Sequence, residues 1–141
     1  MTKAQIIQQI NAEYKAGLNN FNTSYSSINK SKKVWWLNIP VHKFNNDVNM
    51  LLSSEHYILW LYLPKNFTTL LGSTFKIRQD KNVVDLEISA DKSLKYLMDI
   101  KSGGKGFNFE PFVKEKIPQL KIFLKTNSIH NVRLQTKVNF I

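Results

Sequence analysis

The chain has 141 residues, 43% of them hydrophobic and 21% charged, a composition that supports a packed core and excludes an intrinsically disordered chain. It contains no cysteine, which excludes disulfides, thiolate metal centres and cysteine nucleophiles. The formal charge of +10 is uneven: six Lys and one acid in residues 1–43, five Lys, one Arg and seven acids in 44–100, seven Lys, one Arg and two acids in 101–141.

Both ends are thus basic and the middle is close to neutral, so ends that share one side of the fold would form a face that attracts phosphates. Eighteen of the twenty basic residues are Lys and Asn is abundant, which A·T-rich coding alone also produces. The longest apolar run, Tyr57 to Leu63, is too short to span a bilayer. The opening Met-Thr-Lys-Ala-Gln lacks the apolar core of a secretory signal, so the expected compartment is the cytoplasm. The length fits one domain, expected over residues 1–141.

Thr2-Lys3-Ala4-Gln5 has the form of a capping box, and Ile6, Ile10 and Tyr14 follow at four-residue spacing with Ile7 beside them. This predicts an amphipathic helix docked on a core, with Gly17 as its left-handed stop. Leu18 to Lys33 is polar and rich in Asn and Ser and reads as a loop. Lys33 to Val41 reads as a strand ending near Pro40. Trp35 and Trp36 point to opposite faces of it, so at least one belongs to the core.

Asp47 to Leu52 suits either strand or helix. Tyr57 to Leu63 is apolar on both alternating faces, the pattern of a central strand covered on both sides. Pro64 ends it and is expected to open a short helix through Leu71. Thr74–Arg78 and Val83–Ile88 flank Gln79-Asp80-Lys81-Asn82 as a hairpin. In the register that satisfies both faces, Ile77 opposes Val84, Phe75 opposes Leu86, and Lys76 opposes Asp85 on the wet side.

Ala90 to Ile100 fits a helix capped by Asp91 or a strand. Ser102-Gly103-Gly104-Lys105-Gly106 is a loop, either an ordinary turn or a nest whose N–H groups converge on a phosphate. Phe107, Phe109 and Phe112 anchor their segment to the core, and Lys121 to Ile141 alternates well enough for one or two strands. The expected fold is α+β: a mostly antiparallel, strongly bent, pseudobarrel-like sheet with the N-terminal helix and one or two short ones.

The sharpest enzymatic pattern is Asp85 followed by Asp99-Ile100-Lys101. Metal-dependent nucleases of the restriction type place an acid on one strand and an acid-x-Lys on the next, the acids holding Mg²⁺ and the Lys stabilising charge. Roughly one such triplet is expected by chance at this lysine content, and two occur, the other being Glu13-Tyr14-Lys15. The predicted hairpin turns Asp85 outward towards Lys76, and the chain after Ser89 is not expected to return beside Val83–Ile88. His42, His56 and His130 are too scattered for a metal site, and no serine sits in a nucleophile elbow.

Lys30, Lys32 and Lys33, just before the Trp pair, are suited to phosphates, as are Lys101 and Lys105 at the Gly-rich loop. Trp36 is a candidate for stacking on a base, and Asn38, Arg78 and Asn108 for polar contact with bases. The expected function is therefore nucleic-acid binding without a cofactor. One alternative is a small Mg²⁺-dependent nuclease using Asp85, Asp99 and Lys101. Another is a phage-encoded, protein-binding antagonist of host defence.

The succession Trp35-Trp36-Leu37-Asn38-Ile39-Pro40, Ile58-Leu59-Trp60-Leu61-Tyr62-Leu63-Pro64, Phe75-Lys76-Ile77-Arg78-Gln79-Asp80, Leu86-Glu87-Ile88-Ser89 and Asp99-Ile100-Lys101 before a Gly-rich loop and Phe109 resembles accessory DNA-recognition domains of bacterial restriction endonucleases. The resemblance covers roughly residues 33 to 113. It implies binding of double-stranded DNA in a restriction or other defence system, with cleavage supplied by a separate catalytic subunit.

Overall fold

The computed structural model describes residues 1–119 and Ile122. Helix α1 (Lys3–Tyr14) leads into strands β1 (Thr23–Ser27), β2 (Val34–Pro40), β3 (Val48–Ser53), β4 (Tyr57–Leu63), β5 (Lys76–Arg78), β6 (Val83–Ser89) and β7 (Val113–Pro118). Short 3₁₀ helices lie at Val41–Asn45, Leu71–Ser73 and Glu110–Phe112. The chain is α+β, its described strands forming two ladders: four strands in the order β1-β3-β4-β7, and three in the order β2-β6-β5. The ladder pairs are antiparallel except β1 with β3. None of the described helices is long and apolar enough to cross a membrane.

The capping box forms as expected. Thr2 Oγ1 accepts from the Gln5 N–H at 3.2 Å, and Gln5 Oε1 accepts from the Thr2 N–H at 2.8 Å. The left-handed stop falls on Lys15 (φ 52°) and not on Gly17. Asn11 accounts for the early turn: its side chain accepts from the Leu18 N–H at 2.9 Å and donates to the Leu18 carbonyl at 2.8 Å. Leu18, the residue after Gly17, is thereby held back against the helix.

Two cores flank the four-stranded sheet. Ile6, Ile7 and Ile10 of α1 pack on Leu51, Ile58, Trp60 and Ile117. On the other side Met50, Leu52, Leu59, Leu61 and Leu63 meet Trp35, Leu37, Ile39, Val84, Leu86 and Ile88 of the three-stranded sheet. The result is three layers, helix on sheet on sheet, and β4 lies inside its sheet with both faces covered, as its two-sided apolar sequence requires.

The β5–β6 hairpin adopts the expected register, Ile77 opposite Val84 and Lys76 opposite Asp85. Four other expectations change. The loop read over Leu18–Lys33 contains β1, whose ladder comes from β3, more than twenty residues away in sequence. The segment after Pro64 forms no helix until the 3₁₀ turn at Leu71, because Asn66 is left-handed (φ 64°) and Phe67 inserts its ring among Phe44, Phe75, Phe107 and Phe112.

Asp91 caps no helix; its carboxylate accepts from the N–H and hydroxyl of Ser93 at 2.9 and 2.7 Å. Left-handed Lys95 (φ 51°) and Leu97 (φ 62°) then break any regular element there. The edge strand β7 was not among the predicted elements, and the strands expected over Lys121–Ile141 fall outside the described residues apart from Ile122.

Candidate nucleic-acid interface

Alternation along β2 settles the Trp pair. Trp35 is buried, donating its indole N–H to the Ser53 carbonyl at 2.9 Å, while Trp36 remains 50% exposed on the outer face of the three-stranded sheet. The ladder places Glu87 opposite Trp36, Asp85 opposite Asn38, and Lys76 opposite Asp85 from the other side. Arg78 shares that face and pairs with Asp80 at 3.0 Å. Two lysines arrive from outside the strands: Lys32 pairs with Glu87, and Lys101 Nζ lies 3.3 Å from Asp85 Oδ2. Lys32, Trp36, Asn38, Arg78 and Lys101, proposed from sequence, thus share one sheet face.

The chain after Ser89 does return beside β6, contrary to expectation. Ser89 N–H donates to the Met98 carbonyl at 3.0 Å and Ile100 N–H to the Glu87 carbonyl at 2.7 Å, with Ile88 and Asp99 as bridge partners. The physical reason is that β5 is short: its pairing with β6 stops at Lys76–Asp85, so the remaining edge of β6 is open to residues 98–100.

Asp85, Asp99 and Lys101 are therefore brought together, but not as metal ligands around one point. Asp99 is buried, and its Oδ1 accepts from the N–H groups of Glu87 (3.3 Å) and Lys101 (3.1 Å), closing the gap between β5 and the bridge. Its Oδ2 is buried without a hydrogen-bond partner and lies beneath Gly104. Burial, reinforced by the Asp85 and Glu87 charges, pushes its pKa up against the lowering effect of the two N–H bonds. Among the described residues no three His, Asp or Glu side chains form a group able to hold a metal.

The Gly-rich loop packs against this same face. A Cβ on Gly103 would lie 2.9 Å from Lys76 Cδ, and one on Gly104 2.9 Å from Asp99 Oδ2. The Gly104 N–H donates to the Lys101 carbonyl at 2.9 Å, so it does not point at an anion, and close packing explains these two glycines better than a nest does. Lys105 is exposed on the loop. Asn108 is turned to local work, its Oδ1 accepting from the Glu110 N–H at 3.0 Å.

Lys30 and Lys33 face elsewhere. The turn they occupy is closed by Asn29 N–H to Val34 O and Lys33 N–H to Asn29 O, both at 2.8 Å, with Lys33 left-handed (φ 52°). They line a cleft of about 710 Å³ together with Lys92, His56, Glu55 and Tyr57. Lys92 is a functional candidate that sequence reading missed. It is brought there by the bond from the Ala90 N–H to the Lys33 carbonyl at 2.9 Å, a contact with no local sequence signal.

Comparison with protein-family models, with curated proteins and with solved structures gives no match.

Proposed function

We propose that the chain binds nucleic acid, with DNA as the expected polymer, on the outer face of the β2–β6–β5 sheet. The observation that carries this reading is Trp36, a half-exposed indole on a sheet face rimmed by Lys32, Lys76, Arg78 and Lys101. An aromatic in that position offers a stacking surface, and the surrounding cations meet the backbone.

At the Arg78 end of the face the acid is the more exposed partner, Asp80 at 64% against 36% for Arg78, but around Trp36 the order is reversed. Glu87 is 8% exposed against 57% for its partner Lys32, and Asp85 17% against 33% for Lys101. At Lys32 and Lys101 an approaching polymer meets the ammonium groups first. The role implied by the resemblance, recognition of duplex DNA for a defence system with catalysis on a separate chain, is part of this proposal.

The test is fluorescence anisotropy with labelled duplex and single-stranded DNA at about 50 and 200 mM salt, where each lysine–phosphate contact steepens the salt dependence. Trp36→Ala is expected to weaken binding about tenfold, the lower range for a stacked base, with an unchanged unfolding midpoint. Preference for the single strand would indicate stacking on unpaired bases, and preference for the duplex would indicate groove or end binding. A folded protein that binds neither at low salt discards the proposal.

A further inference from the structure

The cleft beside the sheet face differs from it in electrostatics. Lys30 and Lys33 come from the turn before β2 and Lys92 from the segment after β6, while Glu55 is the one carboxylate among the described lining residues. Glu55 is 87% exposed and lies 4.0 Å from His56. Among the described residues Lys30, Lys33 and Lys92 make no ion pair, unlike Lys32 and Lys101. Lys92 rests over the Tyr57 ring at 5.7 Å. Three lysines free of ion pairs share one concavity, and although Lys33 is close enough to Asp91 to help lower its pKa, they focus a positive potential into a cleft of about 710 Å³.

We infer that this cleft receives a terminal phosphate monoester of the bound nucleic acid, an inference that rests on the nucleic-acid reading above. An internal phosphodiester carries one negative charge, whereas a monoester near neutral pH carries about 1.5 to 2. The triple-lysine cleft therefore favours an end over the middle of a strand. Position agrees: Lys33 immediately precedes β2 and Trp36 is the third residue of that strand, so at most about 11 Å of chain separates them. A base stacked on Trp36 then has its strand terminus within reach of the cleft.

The test uses DNA oligonucleotides of about 12 nucleotides, within the usual site size, identical except for a 5′-phosphate, a 3′-phosphate or hydroxyls at both ends. One phosphorylated form is expected to bind about tenfold tighter than the hydroxyl form, the effect of one added charge-assisted contact. Lys30→Ala/Lys92→Ala should abolish that increment and leave the affinity for the hydroxyl oligonucleotide within about twofold, since neither lysine lies on the sheet face.

Equal affinity for the three oligonucleotides overturns the inference while the proposed function stands. No binding of any of them overturns both. A deoxynucleoside 5′-monophosphate competing as strongly as the phosphorylated oligonucleotide also overturns it, because the cleft would then be a site for a small phosphorylated molecule.

Discussion

Asp99 holds the exposed face together with one oxygen and leaves the other dry. Oδ1 serves two backbone N–H groups that the gap in the β6 ladder would otherwise strand, while Oδ2 lies buried under Gly104. Removing the acceptor with Asp99→Ala should destabilise the fold by about 1–3 kcal/mol, the desolvation cost of an unsatisfied donor. Asp99→Asn keeps an acceptor and removes the charge. Because the folded pKa is raised, the native state retains the proton to higher pH than the unfolded chain does. The stabilisation from protonated Asp99 is thus fully present below the ordinary aspartate range and is lost as pH rises through the raised folded value. Urea unfolding from pH 4 upwards should therefore show Asp99→Asn gaining on wild type as pH increases. A gap that stays constant with pH would mean that Asp99 is ionised in the fold throughout. The residue was visible in the sequence as part of an acid-x-Lys triplet, but its role was not, since burial depends on a loop folding back five residues later.

Among the elements, those whose partners lie close by were readable and those whose partners are distant were not. The β5–β6 hairpin follows from alternation on two strands four residues apart, and α1 from a cap and a four-residue apolar spacing. β1 carries Thr23-Ser24-Tyr25-Ser26-Ser27, a sequence without an apolar stripe, and exists as a strand because β3 supplies a parallel ladder. Lys92 joins the cleft for the same kind of reason. The Gly-rich loop was recognisable as a loop, but its glycines are set by what lies beneath them. A Cβ at Gly104 would sit 2.9 Å from Oδ2 of the Asp99 carboxylate, whose other oxygen is held by two hydrogen bonds, and 3.1 Å from the Lys101 carbonyl. Gly104→Ala should accordingly cost about 1–3 kcal/mol, as overpacking does, and also disturb the Lys101–Asp85 pair. Gly17→Ala, where a Cβ meets nothing within 4 Å, is the matched control and should be near neutral or slightly stabilising. Thermal melts of the two variants separate a packed loop from a flexible one: equal melting temperatures would refute the packed arrangement.

At the scale of the whole molecule, the two-sided apolar pattern of β4 foreshadowed layers on both sides of a sheet, whereas the cations of the proposed interface come from the basic first segment (Lys32), the near-neutral middle (Lys76 and Arg78) and Lys101. What charge counting did not reveal is that the cations differ in commitment: Lys32 and Lys101 hold buried or half-buried acids, whereas Lys30, Lys33 and Lys92 line an open cleft. This distinction changes which substitutions are informative. Lys32→Ala would leave the buried Glu87 carboxylate unpaired and lower stability, so it is a poor probe of binding at the sheet face, where Lys76→Ala is cleaner, while Lys30→Ala reports on the cleft alone. It also bears on how salt acts. A net charge of +10 repels itself across the whole surface, a repulsion that reaches about 30 Å at 10 mM salt and only about 10 Å at 100 mM. The Lys32–Glu87 and Lys101–Asp85 pairs on the sheet face have partly buried carboxylates and are screened much less. Repulsion should therefore relax faster than the pairs weaken, and the urea midpoint should rise as NaCl is added over that range. Affinity for nucleic acid should fall over the same range, because counterions then compete for the same lysines. The two responses have opposite signs and are measured on one preparation. A midpoint that falls with salt would mean that attraction, chiefly Lys32–Glu87 and Lys101–Asp85, outweighs repulsion in the fold, and that the surplus lysines are spaced too widely to act as one field on an approaching phosphate.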